Sequence, residues 1–595
     1  MVLDLFYHPY VFYNICMRRI FIMIFILILT LSCGSITLSL IYPAPTATPT
    51  SLPAASPTLL PSHSPTPFPS LSPSALPATS TPAPGTTPNP LLKTFTVLYH
   101  PDDLIYVGDQ VSFEVISPPG LDVKDANLRV QVDPPGGPNL GPVNFAAWGI
   151  QGRYEATMIW VWDTHDLDPG AHTLSFEVQP EGYSWTEQVT LQPSSAMPPD
   201  QASAHWASTQ THCCTVFYIT NTASERDLTT LSTMVDEQAQ DAIEKMGANF
   251  TEPITITILP RLLGHGGFTS TEISVSYLDR NYASNSWALV VHHEMIHAID
   301  GHLGGDFRPS IFVEGLAVYM TGGHYKSEPL MPRAAALLDG YLNEYIPLKT
   351  LADDFYAAQH EIGYLEGASL IEYMVKTYGS DAFFSFYRDI HSHQGESQSD
   401  SIDAALKVHF SITFSQLEQD FLAALSQETD TPAWVDDVRL EVNYYDTMRR
   451  YQQLLDPSAY FRTAWLLDNK TMRERGIVAD YLRHPHTPSN LALEILFITA
   501  GQQLSVQDYT LASQTLDVIN SVLDAIDHGT PDPFSVSPIT ADYFSISSTL
   551  QQQGYEVQSI RLNSDSASTN VTSSTGPDLI PLDLQRTGGQ WIIRP

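Results

Sequence analysis

Cysteine is nearly absent from this chain, and positive charge is scarce. Four of the 595 residues are cysteine. Cys16 and Cys33 lie in an apolar N-terminal region and Cys213 and Cys214 are neighbours, so no disulfide framework can be read. An adjacent pair closes only with strain, which leaves two buried thiols as the expectation. His212-Cys213-Cys214 could donate to a metal, but it lacks a second ligand cluster. Lysine and arginine total 28 against 65 aspartates and glutamates, a net charge of −37. That balance argues against nucleic acid or anionic lipid as partners and predicts a soluble acidic surface.

Charge of either sign is missing from two N-terminal stretches. Arg18 and Arg19 precede the uncharged, apolar Ile20 to Leu31, so residues 1–42 read as a signal peptide or membrane anchor. Leu29-Thr30-Leu31-Ser32-Cys33 is an imperfect lipobox in which Cys33 would become the acylated first residue of a lipoprotein. The uncharged stretch continues to Tyr42, long enough to span a bilayer uncleaved. Either way the bulk of the chain is exported, to the outer face of the cell membrane or beyond it. Residues 43–92 are dominated by proline, serine and threonine with almost no charge, so they cannot build a core and predict an extended linker.

Residues 93–193 alternate with period two in Val111-Phe113-Val115, Leu128-Val130-Val132, Tyr154 to Trp162 and Leu174-Phe176-Val178. Turn clusters separate these runs, which predicts an immunoglobulin-like β-sandwich used for spacing or binding. A sheet beside a helix follows: Val216 to Ile219, a helix around Leu228 to Met246, and Ile254 to Leu259. Gly264-His265-Gly266-Gly267-Phe268 leads into a strand at Glu272 to Tyr277, and no motif places His265 anywhere but in a loop.

The chemistry centres on His293-Glu294-Met295-Ile296-His297. Positions four apart share one helix face, so both imidazoles can converge on one cation. Glu294 stands about 100° round from His293, beside the metal, where its carboxylate can take a proton from metal-bound water. Leu289, His292, Ile296, Ile299 and Leu303 form an apolar stripe, which makes His292 a packed histidine. Ser284, Asn285 and Ser286 are N-cap candidates, and Gly301, Gly304 and Gly305 supply the stop. Asp300, seven residues after His293, either orients a ligand imidazole or is solvated at the helix end.

Catalytic zinc takes three protein ligands and leaves a fourth position for water. Glu314, in the apolar helical segment Ile311 to Tyr319, is the candidate third ligand, and the small Gly315 and Ala317 would let that segment approach the first helix. His302 is the rival.

His293-Glu294-x-x-His297 followed by Phe312-Val313-Glu314-Gly315-x-Ala317-x-Tyr319 resembles the gluzincins, specifically the peptidase MA-like zinc metallopeptidases. Gly363-Tyr364-Leu365-Glu366-Gly367-Ala368, running on to Tyr378-Gly379, looks like the next helix of that group. The resemblance covers about residues 205 to 428, within a catalytic domain expected over 203–428, and implies an α+β peptidase domain in which the strand before the metal helix edges the cleft. By that likeness Tyr364 matches the tyrosine that donates to the developing oxyanion; the competing reading is a core tyrosine. Val318 stands where some gluzincins carry an aspartate that supports a ligand, so that support must come from elsewhere, with Asp300 a candidate.

Residues 429–530 carry helical periodicity, and 531–595 turn to strand-like runs after a helix near Thr540 to Gln553, a weak likeness to the nuclear-transport-factor-like α+β fold. The expectation is therefore multidomain: sandwich, gluzincin-type domain, helical segment and small α+β domain. It would be a cell-surface zinc (Zn2+) metallopeptidase acting on a peptide or protein substrate. A surface-attached binding or adhesion protein with a vestigial peptidase domain is the alternative.

Overall fold

Period-two alternation is realised as strands throughout the first folded part. The computed structural model describes residues 95–594, apart from 149–152, 262–265, 279, 393–396 and 461–466. The expected signal or anchor segment with Cys33, the expected linker and His265 lie outside the described residues. Among the described residues no helix is long and apolar enough to cross a membrane.

Nine strands come first: β1 (Thr96–His100), β2 (Ile105–Tyr106), β3 (Gln110–Ile116), β4 (Asn127–Val132), β5 (Asn139–Asn144), β6 (Ala146–Trp148), β7 (Arg153–Asp163), β8 (Gly170–Gln179) and β9 (Tyr183–Gln192). They form two sheets, ordered β1-β3-β7-β6 and β2-β9-β8-β4-β5. Val111, Phe113 and Val115 of the first sheet share a core with Leu128, Val130, Leu174 and Phe176 of the second. In β4 and β8 every second residue is buried because successive side chains point to opposite faces, whereas in β3 Ser112 and Glu114 on the other face are buried as well.

The central part holds β10 (Trp206–Gln210), β11 (Cys214–Ile219), β12 (Ile254–Leu259), β13 (Gly267–Thr269) and β14 (Ile273–Ser276), in the order β10-β11-β12-β14-β13. β11, β12 and β14 run parallel and both outer strands run antiparallel. The helix Leu228–Met246 makes the crossover that a parallel β11–β12 pair requires. Leu231, Val235 and Ala239 of this helix pack with Val216, Ile256 and Val275 of the sheet and with Val291, Met295 and Ile299 of the helix Trp287–Leu303. Each such aliphatic burial contributes roughly 1.5–3 kcal/mol, so the helix carrying the His-Glu motif is anchored by the core.

The structure corrects one expectation about this sheet. Glu272 to Tyr277 was expected to edge the cleft, but β14 is an inner strand and the edge is β13. A hairpin at Ser270 to Glu272, where the Ser270 N–H donates to the Glu272 carbonyl, folds Gly267–Thr269 back outside β14. A second correction concerns Cys213 and Cys214, which form a disulfide and not two thiols. The Asp236 carboxylate accepts from the backbone N–H groups of His212 and Cys213, and the Thr211 N–H donates to the Cys214 carbonyl, so the turn into β11 holds both cysteines together.

Helices Thr431–Leu455, Pro488–Ser505, Tyr509–Asp527 and Pro538–Gln552 precede an antiparallel sheet of β15 (Tyr555–Leu562), β16 (Ser566–Ser573), β17 (Gly576–Thr587) and β18 (Gln590–Ile593). One core joins them: Tyr444, Met448, Leu496 and Leu516 cluster with Ile546, Val557, Val571 and Trp591. The sandwich is docked and not merely tethered. Its Trp160 packs with Met472, Ile477 and Tyr481, the Trp160 indole N–H donates to Asp480 at 3.0 Å, and Arg483 forms a buried two-armed ion pair with Asp109. The same segment reaches the cleft wall, where Asn469 donates to Ser274 and Arg473 pairs with Glu272.

Candidate metal centre and cleft

Three helices and one strand build the site. Trp287–Leu303 starts at Ser286 as N-cap and ends before Gly304, and it presents His293, Glu294 and His297. Ser310–Thr321 presents Glu314 and stops at Gly322, whose φ of 84° is a left-handed conformation open to glycine. His360–Tyr378 presents Tyr364. Gly315 packs against Gly367 of this third helix, where a Cβ would lie 2.6 Å from the Gly367 carbonyl carbon. The close approach expected toward the first helix is thus made to the third, because Gly315 is about 100° round from the inward-facing Glu314.

His293 and His297 bring their Nε2 atoms to 2.9 Å, and Glu314 Oε2 lies 3.3 Å from each. Donors bound at 2.0–2.2 Å in a tetrahedral zinc site stand about 3.3–3.6 Å apart, so the three atoms form one nearly finished face of such a site. Among the described residues these three form the cluster able to hold a metal ion. The electrostatics point the same way. Burial opposes charge on His297, but the Glu314 carboxylate, with Glu294 and Asp300, outweighs it and pushes the pKa up to about 9. Burial also opposes charge on Glu314, yet the two imidazoles hold it well below the usual carboxylate range. A buried carboxylate that draws a proton onto the imidazole beside it marks a place where a cation can stand in for that proton.

The remaining assignments separate. Glu294 lies beside the triad, not in it, and accepts a hydrogen bond from Thr269 at 2.7 Å. Tyr364 is 8% exposed with its ring 6.2 Å from that of His293. Burial and then the charge of Glu314 raise its phenol well above the usual value. His302 lines the same cavity but is exposed, bonds Thr251 at 3.1 Å and stands outside the ligand cluster, the helix continuing past it to Leu303. His292 is buried against Gln238, and burial lowers its pKa to about 4. Asp300 is neither solvated nor on a ligand: it accepts from Arg308 at 2.8 Å and from Tyr387 at 2.9 Å. The Nδ1 of His293 is buried with no hydrogen-bond partner among the described residues.

Sequence reasoning missed four residues that share this cavity of about 990 Å³. Tyr356 donates to Glu314 Oε1 at 2.6 Å. His324 stacks on Tyr364 with ring centroids 4.2 Å apart, and His360 lies 4.2 Å from the same ring. Thr269 on β13 holds Glu294.

No family model matches the chain, and no curated protein is similar to it. Among solved structures it is similar to an aminopeptidase N family protein from Idiomarina loihiensis, at 9% identity over 57% of this chain and 78% of that one, with a TM-score of 0.26. So low a score carries no argument about fold or activity.

Proposed function

We propose that this chain is a zinc-dependent peptidase of the gluzincin type. The observation that carries the reading is the triad of His293, His297 and Glu314 at 2.9–3.3 Å, with Glu294 beside it in one cavity. These three residues would hold zinc, which when bound supplies Lewis-acid polarisation of a carbonyl and of water. Glu294 takes the proton from the attacking water and delivers it to the leaving amine. Tyr364, kept protonated by burial and by the Glu314 charge, donates to the oxygen on which negative charge develops. The free edge of β13 offers backbone groups to an extended peptide.

Export is part of the proposal. Arg18-Arg19 and the apolar run after them support attachment through acylated Cys33 or a single N-terminal span. Cys33→Ala separates the two, since it releases only the lipoprotein from membranes.

Purified protein tested with a broad peptide library is expected to contain one zinc, to cleave peptides, to lose activity to a chelator and to regain it with zinc. Zinc bound without cleavage of any peptide would favour the vestigial, adhesive reading.

A further inference from the structure

Glu294 is a long side chain whose terminal torsion must be fixed if one oxygen is to face a reacting water. We infer that Gly267 and Thr269 form a cradle on the edge strand β13 that sets this orientation. The inference rests on the proposed role of Glu294 as base. Gly267 pairs with Val275 and Thr269 with Ile273, two residues apart, so both face the same side of the sheet. That side meets the helix Trp287–Leu303. The Thr269 hydroxyl lies 2.7 Å from Glu294 Oε2 and 3.1 Å from the Glu294 carbonyl oxygen. A hydroxyl has one proton, and the shorter, charge-assisted bond is the one to the carboxylate. A Cβ on Gly267 would stand 2.6 Å from Glu294 Cγ and 2.7 Å from Oε1. Glycine therefore leaves the slot in which the carboxylate lies, and threonine holds one of its oxygens so that the other is free to accept a proton.

Thr269 and Gly267 are positioning residues: the side-chain face of β13 meets the base, and only its backbone edge, which these substitutions keep, is offered to the substrate. Thr269→Val keeps the shape and removes the donor, Thr269→Ser keeps the donor, and Gly267→Ala fills the slot. A hydrogen bond to a charged group of this kind corresponds to a rate factor on the order of 10–100. In Thr269→Val, kcat is expected to fall by about that factor while KM and zinc content stay unchanged, with Thr269→Ser recovering most of the rate. Crystal structures of the zinc-loaded variants are expected to show the Glu294 carboxylate turned away in Thr269→Val and Gly267→Ala and retained in Thr269→Ser. A carboxylate that stays in place in both disruptive variants overturns the cradle, as does an unchanged kcat in Thr269→Val. If the wild type cleaves no peptide, the proposed function fails, and the carboxylate position alone then decides the cradle.

Discussion

The phenol of Tyr356 donates to Oε1 of Glu314 at 2.6 Å, while Oε2 of the same carboxylate faces both histidines at 3.3 Å. One oxygen is occupied by the protein and the other is left for a metal. Tyr356→Phe is expected to lower zinc affinity about 10–100-fold, the range for residues that orient a ligand. Competition with a chromophoric chelator measures it, and an unchanged affinity would mean that packing alone orients Glu314.

Glu314 and His302 make opposite predictions. Glu314→Ala should weaken zinc binding sharply, because it removes one of three ligands. His302→Ala should leave zinc binding nearly unchanged, because His302 is exposed and bonded to Thr251. Zinc titration of both variants decides between them, and a loss confined to His302→Ala would move the third ligand.

The sandwich carries a pH-dependent cost of its own. Burial, then the charge of Glu114, pushes the Glu155 carboxyl up from 4.5 to about 7. The native state therefore keeps a proton that the unfolded chain releases near 4.5, so stability falls as pH rises from about 4.5 through about 7, by at most about 1.4 kcal/mol per pH unit. Glu155→Gln should flatten that fall in denaturant titrations across the window. Parallel slopes in parent and variant would rule the assignment out.

Docking of the sandwich hangs on Arg483, which pairs with Asp109 and lies over the Tyr106 ring at 4.7 Å. Arg483→Ala leaves Asp109 buried without its partner, and is expected to cost about 3–5 kcal/mol. Asp109→Asn in the same chain should recover part of it. Equal stabilities of all three proteins would show that the ion pair does not hold the interface.

The helix Trp287–Leu303 and its ligand pair were legible because the pattern is local: four residues of spacing fix one face. Glu314 was legible from the apolar segment around it, and the sandwich strands from their alternation. Tyr356, His324 and Thr269 were not, because they reach the cleft from a short helical turn, a loop and a three-residue edge strand whose positions depend on tertiary packing. The edge itself was assigned to β14 because Gly267 reads as loop. Only the folded sheet shows that the missing Cβ makes room for Glu294. The role of Asp300 is not legible for a related reason: its partners Arg308 and Tyr387 lie eight and eighty-seven residues away.

In the proposed reaction Glu294 moves a proton and binds no metal. The most direct measurement pairs zinc content with peptide hydrolysis in Glu294→Gln. Full zinc occupancy is expected, with kcat reduced on the order of 10²–10⁴. Loss of zinc from that variant, or hydrolysis at the parent rate, would contradict it.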